Sequence, residues 1–226
     1  MKLELISNSG SYYSEQIRPL VVFGTGQLAE LAVHYFRTDS ERNVVALTAD
    51  AEFQNADRQM GLPVVPFESL TTYFPPEECD LFIALSYRNR NRIRRARFLA
   101  SREAGYHLAS YVSSKATVLN DHNMGDNCFI LEDATVQPYV GIGNNTTLWS
   151  GSHIGHHSQV GSHVFIAPRV AISGNVTVHD GVFLGINATL RDGITVGEEA
   201  IVGAGAVVMD NVNPGTVIPS FGKQPL

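Results

Sequence analysis

LWSGSHIGHHSQVGSHVFIAPRVAISGNVTV, residues 148–178, carries an aliphatic side chain at every sixth position: Leu148, Ile154, Val160, Ile166, Ile172 and Val178. The same phase runs back to Val112 and forward to Val208 without an insertion, seventeen apolar positions in all. Four residues after each stands a second inward position, mostly small or β-branched, as at Ser152, Ser158, Val164, Val170 and Val176, with His122 and Cys128 in the same series. Glycine recurs directly after the aliphatic residue, for example at Gly143, Gly155, Gly161, Gly185 and Gly203. A fixed short period is the mark of a solenoid. A period of six matches neither the 3.6 of a helix nor the 3.5 of a coiled coil, so the unit is a short strand and a corner. Three hexads make a triangular coil of eighteen residues. Nearly six coils then stack at about one strand spacing, ~4.8 Å each. The small residue is expected to let the chain turn. Residues 214–226 leave the phase and are expected to cap the open end.

The 226 residues leave room for a second modest domain. A net charge of −6 disfavours a nucleic-acid partner. No apolar run approaches the 18 residues of a membrane span, and the first sixteen residues lack the apolar stretch of a signal peptide. Cys79 and Cys128 make no disulfide framework. Cys128 falls on an inward position and reads as core. A reduced, cytoplasmic protein is expected.

Residues 20–111 are a different kind of chain. Leu20 to Phe23, Asn43 to Leu47, Leu62 to Val65 and Asp80 to Leu85 read as short strands. Helices are expected from the Gly24-Thr25-Gly26 turn to about Phe36 and from Arg88 to Ala104. Strands alternating with helices predict a small parallel α/β unit, Rossmann-like in its first turn. The domains are expected to be 1–111 and 112–226, divided where the hexad phase begins.

Gly24, Thr25 and Gly26 follow a strand and open a helix, a context that suits phosphate at the helix N-terminus. The pattern lacks the third glycine of a full dinucleotide fingerprint, and a purely structural turn is an equal reading. Asp50, after the second strand, could hold a ribose or base edge, or be a solvated turn residue. Residues 88–102 hold seven of the sixteen basic side chains. They could bind a diphosphate or the 3′-phosphate of coenzyme A, or form a solvated helix face.

In the repeat, His156 and His157 are the third and fourth residues of their hexad, off both inward positions. Gly174 follows His156 by eighteen residues, so the two occupy the same corner in successive coils. An imidazole base and a backbone N–H one strand spacing apart are what acyl transfer needs: one takes a proton, the other holds the oxyanion. His153, His163 and His179 read as exposed side chains on the solenoid face. A zinc site would need three converging imidazoles. The offsets of these histidines place them on different sides or coils, so no metal is expected.

These residues resemble those of bacterial sugar acyltransferases that join an N-terminal nucleotide-binding domain to a left-handed β-helix, among them sialic acid O-acetyltransferases and UDP-4-amino-sugar N-acetyltransferases. Residues 148–178 and GVFLGINATLRDGITVGEEAIVGAGAVV, residues 181–208, carry the resemblance, which extends from Leu20 onward. It implies a left-handed coil and a homotrimer with acetyl-CoA, a co-substrate, bound between neighbouring β-helices. It implies His156 as the catalytic histidine and Gly174 as the amide for the thioester carbonyl. Asn187, Gly203, Ala204 and Gly205 would line the pantetheine groove, and Gly24, Thr25, Gly26 and Asp50 would hold the nucleotide of the sugar. The family often has an acidic residue after the catalytic histidine; here it is His157, read as a substrate contact. The expected activity is N-acetylation of a nucleotide-linked amino sugar. The alternatives are O-acetylation of a sugar such as sialic acid and a non-catalytic nucleotide-sugar binder or scaffold.

Overall fold

The computed structural model describes residues 17–54, 56–120 and 123–220. The leader reading and His122 lie outside the described residues. Five strands form the first sheet: β1 (Leu20–Phe23), β2 (Val44–Ala49), β3 (Arg58–Gln59), β4 (Leu62–Pro66) and β5 (Asp80–Ile83), in the order β3-β4-β2-β1-β5. All pairs are parallel except β3–β4. Every residue of β1 is buried, as in a strand covered on both faces. Side chains alternate between the two sides. Leu20 and Val22 pack with Ala32, Val33 and Phe36 of α1 (Gln27–Thr38), whereas Val21 and Phe23 pack with Leu70 and with Phe98 of α3 (Arg92–Glu103).

Residues 111–218 form a left-handed parallel β-helix of two-residue strands. The first face stacks seven strands, from Tyr111–Val112 through Thr147–Leu148 and Phe165–Ile166 to Val217–Ile218. The second stacks six, including His153–Ile154 and Ala171–Ile172, and the third four, including Gln159–Val160 and Thr177–Val178. The register is eighteen residues in every coil but the last, as in Phe165↔Phe183 and Ile154↔Ile172. Both inward series line one continuous core. Ser158 is satisfied between coils: its Oγ donates to Ser173 O (3.0 Å) and accepts from Val176 N (3.0 Å). The buried Cys128 thiol reaches Gly143 O in the same way, and burial pushes its pKa up to about 12.

The corners differ from the sequence reading. The small inward residue fills the interior, and the turn is made one position earlier. There the chain is left-handed in every coil, from Asn127 (φ 54°) through Tyr139, Asn145, His157 and Arg169 to Gly193 (φ 70°). The glycine after the aliphatic residue serves another purpose. A Cβ on Gly143 would lie 2.5 Å from Gly161 C and 2.6 Å from Ser162 N of the coil above. The tail departs as well. Val212 bridges Val196, and Ile201–Val202 pairs with Val217–Ile218, so the last coil is sixteen residues long and resumes its phase. Residues 214–218 extend the solenoid rather than leaving it.

The junction between the two units is both aromatic and polar. Tyr111 and Phe129, which point outward from the first face, pack on Tyr35, Phe36 and Phe82 at ring distances of 5.3–5.9 Å. Asn127 completes the sheet edge, accepting from Ile83 N (2.7 Å) and donating to Ile83 O (3.3 Å). Arg94 is fully buried and donates to the carbonyls of Asn145, His163 and Val164 and to Asn91 Oδ1. His163 is therefore not an exposed solenoid histidine. It is 6% exposed, its Nδ1 lies 2.9 Å from Asn145 Nδ2, and burial beside Arg94 and Arg95 pushes its pKa down to about 4.

Two outcomes follow from this packing. Gly143→Ala should lose about 1–3 kcal/mol, the usual effect of overpacking against backbone, while Gly193→Asn, open and left-handed, should melt within a few degrees of wild type. Equal melting temperatures for the two would refute the distinction. His163 stays neutral in the folded chain while the unfolded chain takes up its proton, so stability should fall as pH drops from 6.5 to about 4. The loss from this group is on the order of 3 kcal/mol. In His163→Asn, where an amide oxygen can still accept from Asn145, denaturant unfolding at pH 7 and pH 4.5 should show a correspondingly smaller difference.

Candidate active site

His156 stands at the corner between the second and third faces, tied to the coils on either side. Its N–H donates to Gln137 Oε1 (2.9 Å) and its carbonyl accepts from Asn175 N (2.9 Å). The imidazole is exposed and lies over Gly174. A Cβ on Gly174 would meet Cε1 at 2.6 Å, Nε2 at 2.8 Å and Nδ1 at 3.1 Å. Only glycine leaves space for the ring there. The eighteen-residue spacing thus brings the expected base and the expected amide together. His157 is the left-handed corner residue (φ 61°), and its Nδ1 lies 3.1 Å from His156 Nδ1. Its ring packs on Tyr139 of the coil below, 4.6 Å between centroids.

The glycine turn lies elsewhere. Gly24 is structural: at φ +130° it passes so near the next strand that a Cβ would sit 2.9 Å from Ala84 O. Gly26 has open space around it and precedes α1 with no side-chain cap, leaving the helix start free to receive an anion. Thr25 is half-buried, its carbonyl taken by Gln59 Nε2 (2.9 Å). Gly26, Gln27 and Leu28 line a cavity of about 450 Å³ with Ala84, Ser86, Tyr87, Arg88 and Trp149. Asp50 does not line it. Asp50 is buried and ion-paired to Arg97 (2.9 Å), while its Oδ1 has no partner. Burial pushes its pKa up against the pull of Arg97.

The basic segment is not one helix, and it is only partly a solvated face: Arg88, Arg92 and Arg102 are exposed, and Arg94 is buried. Residues 88–91 are a loop in which Asn89, Arg90 and Asn91 are all left-handed, and α3 starts at Arg92. Besides the buried Arg94, Arg90 donates to Glu199 O and Gly215 O, Arg92 pairs with Glu199, Arg95 with Glu198, and Arg97 with Asp50. Arg90, Arg92, Arg94 and Arg95 hold α3 and the loop before it against the β-helix, whereas Arg97 ties α3 to the end of β2. Arg88 is the one that lines the cavity beside Gly26.

An apolar groove of about 1000 Å³ continues from this cavity along the first face, sharing Tyr87, Trp149 and Phe165 with it. Gly203 and Ala204 line it. Asn187 and Gly205 are left-handed corner residues of adjacent coils on the same edge, joined by Gly205 N donating to Ile186 O (2.8 Å). This edge lies between the first and second faces, a different edge from that of His156. Sequence reasoning missed the aromatic wall of Tyr87, Phe165 and Phe183, whose rings lie 4.5–5.9 Å apart. The signal was present: the outward position before the aliphatic residue is most often Thr, but Phe at 129, 165 and 183. Among the described residues no group of three His, Cys, Asp or Glu side chains could hold a metal, and no helix is long and apolar enough to cross a membrane.

Residues 139–174 and 175–210 match the bacterial transferase hexapeptide (six repeats) model. No curated protein matches the chain. Among solved structures, a perosamine N-acetyltransferase variant from Caulobacter crescentus, bound to CoA and GDP-perosamine, superposes with a TM-score of 0.82 at 24% identity, over 92% of this chain and 96% of that one. The acetyltransferase domain of PglB from Neisseria gonorrhoeae, with acetyl coenzyme A, gives 0.79 at 23% identity, over 93% and 100%. WeeI from Acinetobacter baumannii gives 0.75 at 20%, over 88% and 95%. The chain therefore shares with these proteins, along nearly its whole length, the fold of a small α/β domain followed by a left-handed hexapeptide β-helix.

Proposed function

We propose that the protein is an acetyl-CoA-dependent N-acetyltransferase acting on a nucleotide-linked amino sugar. The observation that carries this reading is the His156 imidazole resting on Gly174, base and backbone amide held in successive coils. The sugar amine attacks the thioester carbonyl carbon, and the Gly174 N–H receives the developing oxyanion. His156 Nε2 takes the proton released by the amine as the amide bond forms. The intermediate collapses, the C–S bond breaks, and the proton passes to the departing CoA thiolate. Residues 1–111 would hold the nucleotide, with its diphosphate at Gly26 and Arg88. Residues 112–226 would carry out the transfer. The GDP-perosamine and CoA bound to the Caulobacter protein, and the acetyl coenzyme A bound to the Neisseria domain, support this choice of substrates.

One chain does not bring the parts together. The groove holding Gly203 and Ala204 and the corner holding His156 belong to edges separated by the width of the second face. A cyclic trimer that sets one chain's groove beside its neighbour's His156 would complete the site, with acetyl-CoA between them. Two buried, unpaired cysteines fit a reducing, cytoplasmic setting.

Thiol release from acetyl-CoA should be seen with one member of a panel of GDP-, UDP- and dTDP-linked amino sugars, with an amide in the product. An ester product would move the assignment to O-acetylation. His156→Ala should lower kcat by ~10²-fold or more, the usual effect of losing a general base. Near-wild-type turnover would remove His156 from that role. Light scattering should give the mass of three chains.

A further inference from the structure

We infer that His157 is a positioning residue, whose Nδ1 accepts the Nδ1–H of His156 and so holds His156 in the tautomer with a free lone pair on Nε2. The inference rests on the proposed role of His156 as the base. It starts from the 3.1 Å separation of the two Nδ1 atoms. Between two neutral imidazoles that bond has only two forms, because each ring carries one N–H. If His157 donates, His156 keeps its proton on Nε2 and cannot take another there. If His156 donates, its Nε2 is bare. Nε2 is also the nitrogen nearer to Gly174, 2.8 Å from the position a Cβ would occupy there against 3.1 Å for Nδ1. The second form is the one that a proton acceptor at this place requires.

The surroundings hold the acceptor in place. The left-handed backbone of His157 (φ 61°) sets its ring at 85° to that of His156, with the centroids 5.3 Å apart. Tyr139 supports the far side of the His157 ring. His157 N donates to Pro138 O (3.3 Å), which ties the corner to the coil below. A side chain placed only to touch substrate would not need its Nδ1 directed at the base. Residues that orient a metal-bound imidazole through its second nitrogen contribute about ten- to a hundredfold, and an effect of the same order is expected for this ring.

The test pairs His157→Phe with His157→Asn. Phenylalanine keeps a ring on Tyr139 but has no acceptor. Asparagine tolerates a left-handed backbone and offers Oδ1 to the His156 N–H. We expect the Phe variant to lose about ten- to a hundredfold in kcat with KM for both substrates nearly unchanged, and the Asn variant to recover most of it. A loss expressed mainly in the KM of the sugar would instead make His157 a substrate contact and overturn the inference. Nitrogen-15 NMR of the ring-labelled protein reads the tautomer without any turnover. In wild type His156 should show a pyridine-type Nε2 and a pyrrole-type Nδ1, and in the Phe variant a mixture of both tautomers. A protonated Nε2 on His156 in neutral wild-type protein overturns the inference whatever the variants do. The outcome for His156→Ala stands apart: if it retains turnover, the base assignment fails, even where the tautomer is as described.

Discussion

The carboxyl-terminal unit depends on one constraint, that up to its sixteen-residue last coil each residue lies directly above the residue eighteen positions earlier. Backbone bonds from coil to coil enforce it, as in Gly155 N to Ile172 O and Asn175 N to His156 O. The constraint leaves no room for a Cβ where two corners close on each other, which is why glycine follows the aliphatic residue at Gly143 and Gly185. It demands a left-handed residue two positions later, where Asn, Asp and Gly are favoured. It also gives chemistry a fixed distance. A base and an amide placed eighteen residues apart are neighbours without any loop needing to fold around them, and a site on regular backbone is more precise than one on loops.

Much of this was legible in the sequence because the period is rigid. The inward series, the stack of coils and the pairing of His156 with Gly174 all follow from counting. What was not legible depends on where a side chain finds its partner. His163 and His157 occupy the same hexad position and share the same left-handed backbone (φ 62° and 61°), yet one is buried under α3 and the other is exposed. Counting cannot separate them; only the docked position of α3 does. The arginines of residues 88–102 misled for the same reason. Their spacing suggests a solvated helix face, and their partners, Glu198 and Glu199, lie about a hundred residues away.

The amino-terminal unit was read well in its strands and poorly in its edges. Buried runs such as LVVF announce themselves. β3 and the four-residue helix Leu70–Tyr73 are too short for periodicity to reveal. Asp50 was placed correctly after β2, but its ion pair with Arg97 and its unpartnered Oδ1 are tertiary facts. The turn at Gly24–Gly26 shows that neighbouring glycines can have different reasons. Gly24 is set by the closeness of Ala84, and Gly26 by nothing that touches it, so only Gly26 is left free for a ligand.

Arg94 shows how the two units fix one another. Its guanidinium is fully buried and faces carbonyl and amide oxygens, with no carboxylate among its partners. Burial lowers its pKa to about 9, which still leaves it charged at neutral pH. A buried cation held only by dipoles contributes little net stability, because desolvation offsets most of the attraction. What it contributes is geometry. The carbonyls of Asn145 and of His163–Val164 come from successive corners of one edge, and they accept a planar fork in one orientation only. That orientation fixes the start of α3, and with it the left-handed loop that carries Tyr87 and Arg88. Tyr87 then meets Phe165 and Phe183 at 5.1 and 4.5 Å, closing the wall shared by the cavity beside Gly26 and the groove along the β-helix. The path between the two domains is thus set by a side chain that touches neither end of it.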